Sequence, residues 1–303
     1  MTSSAFLLLA SMWLSAAQEP SQDNVQEPGQ DAPPAQVAAT SEADPAARAA
    51  WQSFLDATRG DAPSQPITAF SLQASVLTRA GVQTNEMSVD YRFLEPECIR
   101  FLLPNQREVG RFGAKQREYW LRDRDELVVL SGRDYTEDRR QIDEMFSIAR
   151  NFVALSDPAR LSITSLELLA KPPADLSKKI QRESAKLRWL RATSPDFALM
   201  RNDGTRASEG TLYVIDLALQ PSGEARFVIV RERPAPGQPV AEPMLIRMDD
   251  FRGQNGFRIP YQFFVYRLDP SALPLVFGSK PAQEIYLTKA DLRATLAVED
   301  FQP

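Results

Sequence analysis

Residues 70–93 read FSLQASVLTRAGVQTNEMSVDYRF and decide the fold. Apolar and polar side chains alternate along both halves of this stretch, and the intervening Ala80-Gly81 is typical of a turn. A period of two residues indicates strands that bury one face, because successive side chains of a strand point to opposite sides. The two halves therefore predict an antiparallel pair whose apolar face carries Phe70, Leu72, Ala74, Val76, Met87, Val89, Tyr91 and Phe93.

This pair is the beginning of a longer meander. Pro96 interrupts the second strand, and the alternation resumes at Ile99 and Phe101. Gly110 and Gly113 predict a further turn over residues 110–113. A hairpin is expected next, with strands at Glu118–Arg122 and Glu126–Leu130.

A second meander is predicted in the last 120 residues. Short runs with a period of two recur there between turn residues, which is typical of an antiparallel β structure. The expected strands are Leu187–Ala192, Phe197–Arg201, Leu212–Leu219, Phe227–Arg231, Met244–Met248, Phe257–Arg267, Glu284–Thr288 and Arg293–Val298.

Helices are predicted beside the meanders. Asp44-Pro45 is a helix start, with Asp as the N-cap and Pro at the first helical position, and Gly60 is expected to end this helix. A central helix is predicted from Thr136 to Leu155, where apolar residues recur at helical spacing. A third, more charged stretch from Ala174 to Ala185 completes an α+β pattern in one domain.

The residues that the sequence lacks exclude much of enzyme chemistry. There is no His, so a Ser-His-Asp triad, a Cys-His pair and a His metal ligand are all excluded. The only cysteine is Cys98, which excludes an intramolecular disulfide and a thiolate metal cluster. No cofactor or metal is expected.

The charge of the chain is unevenly placed. The net charge is −5, but residues 1–47 hold six acidic residues and neither Lys nor Arg. Residues 48–303 are therefore nearly neutral, and they lack the basic surface that nucleic-acid binding requires.

The first 43 residues are expected to be an export leader and a tether. Residues 5–16, AFLLLASMWLSA, form an apolar run that is long enough for a signal peptide and too short to span a bilayer, so residues 1–17 are predicted to be cleaved after Ala17. Residues 18–43 are acidic and Pro-rich, which predicts a disordered linker. The protein is expected to be periplasmic, with no stable membrane insertion.

Residues 92–101, RFLEPECIRF, resemble a known family. They are similar to the strand–Pro–strand element of the periplasmic lipoprotein-carrier proteins (LolA/LolB-like), and residues 119–123, YWLRD, look like the next strand of that family. The resemblance covers residues 44–301 by the order of elements. It implies that residues 44–303 form a single strongly curved, half-open antiparallel β-barrel wrapped around helices, with an apolar cavity for acyl chains.

The resemblance implies a cavity lined by apolar side chains. The same side chains could equally form an ordinary solid core, and the sequence leaves both alternatives open. The expected lining is Phe70, Leu72, Met87, Val89, Tyr91, Phe93, Ile99, Phe101 and Trp120 from the strands, with Met145 and Phe146 from the central helix.

Arg100 is the candidate gate of that cavity. In the family the matching Arg reaches across the cavity mouth, which implies the same role here if a bulge at Pro96 turns the side chain inward. Strand alternation favours the other interpretation, because Arg100 lies between Ile99 and Phe101 and should point to the opposite face, paired with Glu95 or Glu97.

The sequence thus predicts a non-enzymatic carrier of the cell envelope. Its expected partners are a lipid or a lipidated protein and, beyond these, envelope proteins. The alternative is an interaction or scaffold protein of the same fold with a filled core. An enzyme that uses paired carboxylates is a third hypothesis, but the acidic residues at 122–126 and 249–250 are typical of solvated turns.

Overall fold

The two predicted meanders join into one antiparallel sheet in the computed structural model. The model describes residues 44–59, 65–80, 83–103, 107–112, 118–130, 137–199, 211–233, 241–269, 271–272 and 274–303; the predicted signal peptide and linker lie outside these residues. The strands of the sheet are β1 (Ala69–Ala80), β2 (Gln83–Leu94), β3 (Cys98–Leu103), β4 (Arg107–Phe112), β5 (Glu118–Asp123), β6 (Glu126–Val129), β7 (Ser165–Leu169), β8 (Arg188–Ser194), β9 (Tyr213–Leu219), β10 (Ala225–Glu232), β11 (Met244–Gln254), β12 (Phe257–Tyr266) and β15 (Gln283–Asp291). Two short strands, β13 (Leu268–Asp269) and β14 (Val276–Phe277), pair separately.

The order of strands shows how the meanders are joined. It runs β6-β5-β4-β3-β2-β1-β15-β12-β11-β10-β9-β8-β7, and each strand is antiparallel to its neighbours. The late strand β15 lies between β1 and β12, so it connects the N-terminal meander to the C-terminal one. The strands β6 and β7 are the two edges, and the sheet is therefore not closed. An antiparallel α+β architecture is confirmed.

The register of β1 and β2 confirms the first predicted pair. Phe70 lies opposite Phe93, Leu72 opposite Tyr91 and Val76 opposite Met87, so these side chains share one face of the sheet. We call the face that carries Phe70 and Phe93 the front face, and its opposite the back face.

Helices cover both faces. The helix α1 (Pro45–Arg59) begins as predicted, because the Asp44 carboxylate accepts a hydrogen bond from the Ala46 N–H at 3.0 Å. Both α1 and α2 (Glu137–Ser156) pack on the front face, where Phe54 and Leu155 join a core with side chains of β8, β9, β10 and β11. The short helix α3 (Lys178–Ser184) packs on the back face through Ile180.

Residues 110–112 belong to strand β4 and not to the turn that the glycines predicted, and Gly113 lies outside the described residues. Gly110 lies in the interior of β4, opposite Trp120 on β5. A Cβ atom at residue 110 would lie 2.4 Å from the Trp120 ring, so the glycine here makes room for an indole instead of forming a turn. The prediction was wrong at Gly110 because the local sequence does not show that a bulky side chain of the neighbouring strand lies over the glycine.

Two predicted strands are also absent from the described residues. Residues 197–199 have no regular structure, and the chain leaves the sheet after Asp291. The Asp291 carboxylate accepts a hydrogen bond from the Arg293 N–H at 3.0 Å, which turns the chain away from β15. Residues Val298–Phe301 then form a short 3₁₀ helix.

The strand β7, which was not predicted from the sequence, forms one edge of the sheet.

Replacing Gly110 with Ala is expected to lower the free energy of unfolding by about 1–3 kcal/mol, because the new methyl group overlaps the Trp120 ring. Urea denaturation followed by circular dichroism measures the change. Gly253→Ala is the matched control, since Gly253 is also in a strand and a Cβ atom there meets nothing within 4 Å. Equal effects of the two substitutions would contradict the proposed close packing.

Candidate functional site

The predicted cavity residues form an aromatic layer beneath α2. The Phe70 ring stacks on Phe93 with centroids 5.1 Å apart, and Phe146 of α2 lies 5.6 Å from Phe93. Tyr91 contacts the Phe101 ring edge-on at 5.1 Å. The structure thus brings these side chains together on the front face, where they are in direct contact.

Burial divides the layer into a filled part and an open margin. The side chains under α2 are buried, among them Phe70 at 0% and Phe93 and Ile99 at 1% exposure. Met87, Phe101 and Met145 are partly exposed. The buried members of the predicted set on this face are Phe70, Leu72, Val89, Tyr91, Phe93, Ile99 and Phe146.

Trp120 does not belong to this layer. The registers of β3, β4 and β5 align Trp120 with Gly110 and Arg100, all on the back face, whereas Tyr119 points to the front. The Trp120 indole Nε1–H donates to the backbone oxygen of Phe301 at 2.7 Å. The C-terminal 3₁₀ helix therefore covers Trp120, a contact between residues 181 positions apart that no local pattern indicates.

The gate role is not supported for Arg100, because its side chain is also on the back face. The register between β2 and β3 contains no bulge, so the alternation from Ile99 to Phe101 is kept. The Arg100 guanidinium forms an ion pair with Glu108 at 2.9 Å and donates to the backbone oxygen of Asp300 at 3.0 Å. Strand alternation thus predicted correctly which face of the sheet carries Arg100. Its ion-pair partner, however, is Glu108 and not Glu95 or Glu97.

Arg111 is a charged residue that does face the layer, and it was not predicted from the sequence. Its side chain is fully buried and lies over the Phe146 ring, with the guanidinium carbon 3.7 Å from the ring centroid. The guanidinium pairs with Glu97 at 2.7 Å and contacts the buried carboxylate of Asp143 on α2. The alternation of β4 offers a signal for this position, because Arg111 has the parity of the buried Val109.

This ionic group holds α2 against the sheet. The Tyr119 hydroxyl donates to the Asp143 carboxylate at 3.1 Å, so both charges of the buried pair have further hydrogen bonds. A second contact is made by the Tyr91 hydroxyl, which donates to the backbone oxygen of Met145. Burial raises the pKa of Tyr91, and the hydroxyl keeps its proton at neutral pH.

An apolar row extends the layer across four neighbouring strands. The registers place Met87, Val76, Ile285 and Phe263 side by side on the front face, on β2, β1, β15 and β12. All four side chains are partly exposed. The neighbouring positions Ala74, Val89 and Leu287 on one side are buried, and so are Thr78, Gln283 and Val265 on the other. We call these four residues the apolar row.

Only the first of the two predicted acidic turns is a turn. Asp249 and Asp250 lie within strand β11, and Asp249 is half-buried and pairs with Arg247 at 2.9 Å. Residues 123–126 between β5 and β6 are exposed. Asp250 is paired with its neighbour Arg252, and this hydrogen bond lowers the pKa of the Asp250 carboxyl. In the part of the chain that the structure describes, no group of three or more acidic or Cys side chains is placed to hold a metal ion.

None of the described helices is long and apolar enough to cross a membrane.

Comparison with known proteins identifies structural neighbours only. No protein-family model and no curated protein match the sequence. A DUF1329 family protein from Desulfovibrio piger is similar with a TM-score of 0.44 and 10% identity, over 84% of this chain and 97% of that one. A LolA superfamily protein from Nitrosomonas europaea has a TM-score of 0.43 and 12% identity, over 83% and 97%. A putative outer membrane lipoprotein-sorting protein domain from Vibrio parahaemolyticus has a TM-score of 0.39 and 8% identity, over 84% and 95%.

LolA superfamily proteins are structural neighbours of this chain. The TM-scores lie below 0.5, so nothing about the ligand of this chain follows from the similarity.

Replacing Arg111 with Met is expected to lower the free energy of unfolding by about 3–5 kcal/mol, because it removes the buried guanidinium that pairs with the buried Asp143 carboxylate. Chemical denaturation measures the change. The control is Arg252→Met, which removes an exposed ion pair and should cost less than about 1 kcal/mol. A loss below about 1 kcal/mol for Arg111→Met would show that the buried ionic group does not hold α2.

Proposed function

We propose that this protein is an exported carrier of the cell envelope that shields acyl chains of a lipid or a lipidated protein. The observation that carries the proposal is the apolar row, which crosses four adjacent strands of the front face and remains partly exposed between buried neighbours. An exposed apolar strip that continues a buried aromatic layer is a favourable surface for an alkyl chain.

The dimensions and energies of the row suit reversible binding. Neighbouring strands lie roughly 4.8 Å apart, so the row is about 14 Å long. An acyl chain that buries about ten methylene groups gains roughly 8 kcal/mol. This gain is of the same order as the entropic cost of association. The row alone therefore holds a chain loosely, which suits a protein that must release its cargo.

Deeper burial of the cargo requires α2 to move. The helix covers the aromatic layer, and Phe152 on α2 contacts both Phe70 of the layer and Phe263 of the apolar row. An acyl chain that displaces Phe152 would enter the layer from the row. The Arg111–Asp143 ion pair then acts as the fixed end about which α2 shifts.

The sheet is proposed to curve around α1 and α2 as a half-open barrel. Twisted open sheets rarely exceed about ten strands without curling, because each strand is rotated by roughly 20° from its neighbour. A sheet of thirteen strands with both long helices on one face has the elements of such a barrel. The residues predicted to line the cavity, without Trp120, lie on that face or on α2.

Export of the protein is part of the proposal. The apolar run of residues 5–16 and the small residues before position 18 support a signal peptide that is cleaved after Ala17. The acidic, Pro-rich residues 18–43 would then connect the mature N-terminus to the carrier domain, which is proposed to span residues 44–303. The periplasm is the compartment in which such a carrier would work.

A second function is favoured by the packing of the aromatic layer. Phe70 and Phe93 are fully buried and in direct contact, which is what a permanently filled core would show. In that case the protein acts through its surface as an interaction or scaffold protein. Lipid binding distinguishes the two functions.

The full-length protein is expected to bind a fluorescent long-chain fatty acid, cis-parinaric acid, with an increase in its emission. Val76→Asp places a carboxylate in the middle of the apolar row and is expected to weaken this binding at least tenfold, because a charge beside an alkyl chain loses hydration. Fluorescence titration measures both affinities.

Leu77→Asp is the matched control for this experiment. Leu77 is the next residue of the same strand, is also partly exposed, and lies on the back face opposite Glu284. The Leu77→Asp substitution should leave the affinity for the fatty acid within about twofold of that of the unmodified protein. The carrier function is rejected if the unmodified protein does not bind the probe, and the row is rejected as the site if both substitutions weaken binding equally.

A further inference from the structure

A buried hydroxyl without a hydrogen-bond partner lies beside the apolar row. The Thr78 side chain is only 4% exposed, and its Oγ1 atom has no hydrogen-bond partner among the residues that the structure describes. Buried polar atoms in folded proteins are almost always hydrogen-bonded, because an unpaired buried hydroxyl loses its bond to water without replacement. The exception at Thr78 therefore calls for a physical reason.

The position of Thr78 relates it to the proposed binding surface. Thr78 is two residues after Val76 on β1, so the two side chains share the front face. Directly across the strands from Thr78 lies Gln283, which is itself 9% exposed and pairs onward with Val265. A pair of uncharged polar side chains thus borders the apolar row at β1 and β15.

The residues directly across the strands from this pair carry no charge. Among the described side chains, the cross-strand neighbours Asn85, Gln283 and Val265 are neutral, as are all four members of the apolar row. A phosphate or a carboxylate placed here would lose its hydration with no cation to compensate for it. A neutral carbonyl loses much less, and it can accept a hydrogen bond from a hydroxyl.

We propose that Thr78, with Gln283 beside it, binds the neutral carbonyl that joins an acyl chain to its head group, while the chain itself lies on the apolar row. This inference rests on the proposed function and narrows its substrate class to acyl esters and acyl amides. The Thr78 hydroxyl donates to the carbonyl oxygen of the cargo, and the charged part of a head group remains outside the site. In the empty protein the Thr78 hydroxyl has no acceptor among the described residues, and the bound cargo supplies one.

Thr78→Val tests the inference, because it removes the hydroxyl and nearly preserves the shape of the side chain. Two competitors are titrated against cis-parinaric acid: methyl laurate, which has the carbonyl, and dodecane, which lacks it. The substitution is expected to weaken the binding of methyl laurate about tenfold, because one good hydrogen bond is lost. The affinity for dodecane should stay within about twofold of that of the unmodified protein. Equal changes for the two competitors overturn the inference.

A second measurement uses the protein without any ligand. Thr78→Val is expected to raise the urea midpoint of the empty protein, because it removes an unsatisfied polar group. The matched control is Thr193→Val on β8, where the buried hydroxyl oxygen accepts a hydrogen bond from Ser165 at 2.8 Å; its loss should lower the midpoint. A lowered midpoint for Thr78→Val overturns the inference, since it means that the hydroxyl is already bonded.

The outcomes separate this inference from the proposed function. If the unmodified protein binds neither competitor, the carrier function fails and the inference fails with it. If both bind and Thr78→Val leaves methyl laurate unchanged, the carrier function stands and the role of Thr78 is rejected. Where the inference holds, competition by a diacylglycerol and by a triacylated lipopeptide then distinguishes an ester lipid from a lipidated protein as the source of the carbonyl.

Discussion

Backbone pairing between β1 and β15 joins residues from the two ends of the described domain. Ser71 pairs with Asp291 and Thr78 with Gln283, so the two meanders become neighbours across one ladder of hydrogen bonds. Closing such a long loop costs chain entropy, and the cost is offset only because many residues pair once the ends meet. The apolar row crosses this joint at Val76 and Ile285, and it exists only when β15 is in place. The candidate site is therefore a product of the most distant contact in the sheet.

Two opposite demands meet on the front face. The aromatic layer under α2 is buried, whereas the apolar row next to it is left partly uncovered, which costs free energy because apolar surface stays in water. The buried ionic group of Arg111, Asp143 and Glu97 lies at the β4 end of the layer. A buried ion pair adds little net stability compared with apolar residues of the same volume, but it allows few alternative positions for its helix. Its contribution here is to fix α2 at Asp143, which leaves the apolar row and the rest of the helix as the parts of this face that can change.

Local periodicity predicted much of this arrangement. The alternation in residues 70–93 identified β1, β2 and their shared face, and the Asp44-Pro45 start of α1 followed from capping chemistry. The same alternation placed Arg100 on the face opposite Ile99, whereas the family resemblance implied a gate; the local rule was correct. Gly110, Trp120 and Arg111 could not be assigned in this way, because the place of each depends on a residue far along the chain. The Trp120 environment is set by Phe301, and that of Arg111 by Asp143. The exposed apolar row depends likewise on strand registers that no local pattern contains.

The contact between Trp120 and Phe301 has a consequence for biosynthesis. Ribosomes add roughly 5–20 residues per second. The 181 residues that separate the two partners therefore take on the order of 10–40 s to be made. During that interval the indole and the bare backbone of Gly110 have no cover, and β1 has no β15 beside it. The nascent chain thus presents an aromatic side chain and an unpaired strand edge to the cytoplasm for much of its synthesis. Exposed apolar surface and unpaired strand edges make partly folded chains prone to aggregation, and here the contacts that cover them require residues near position 300.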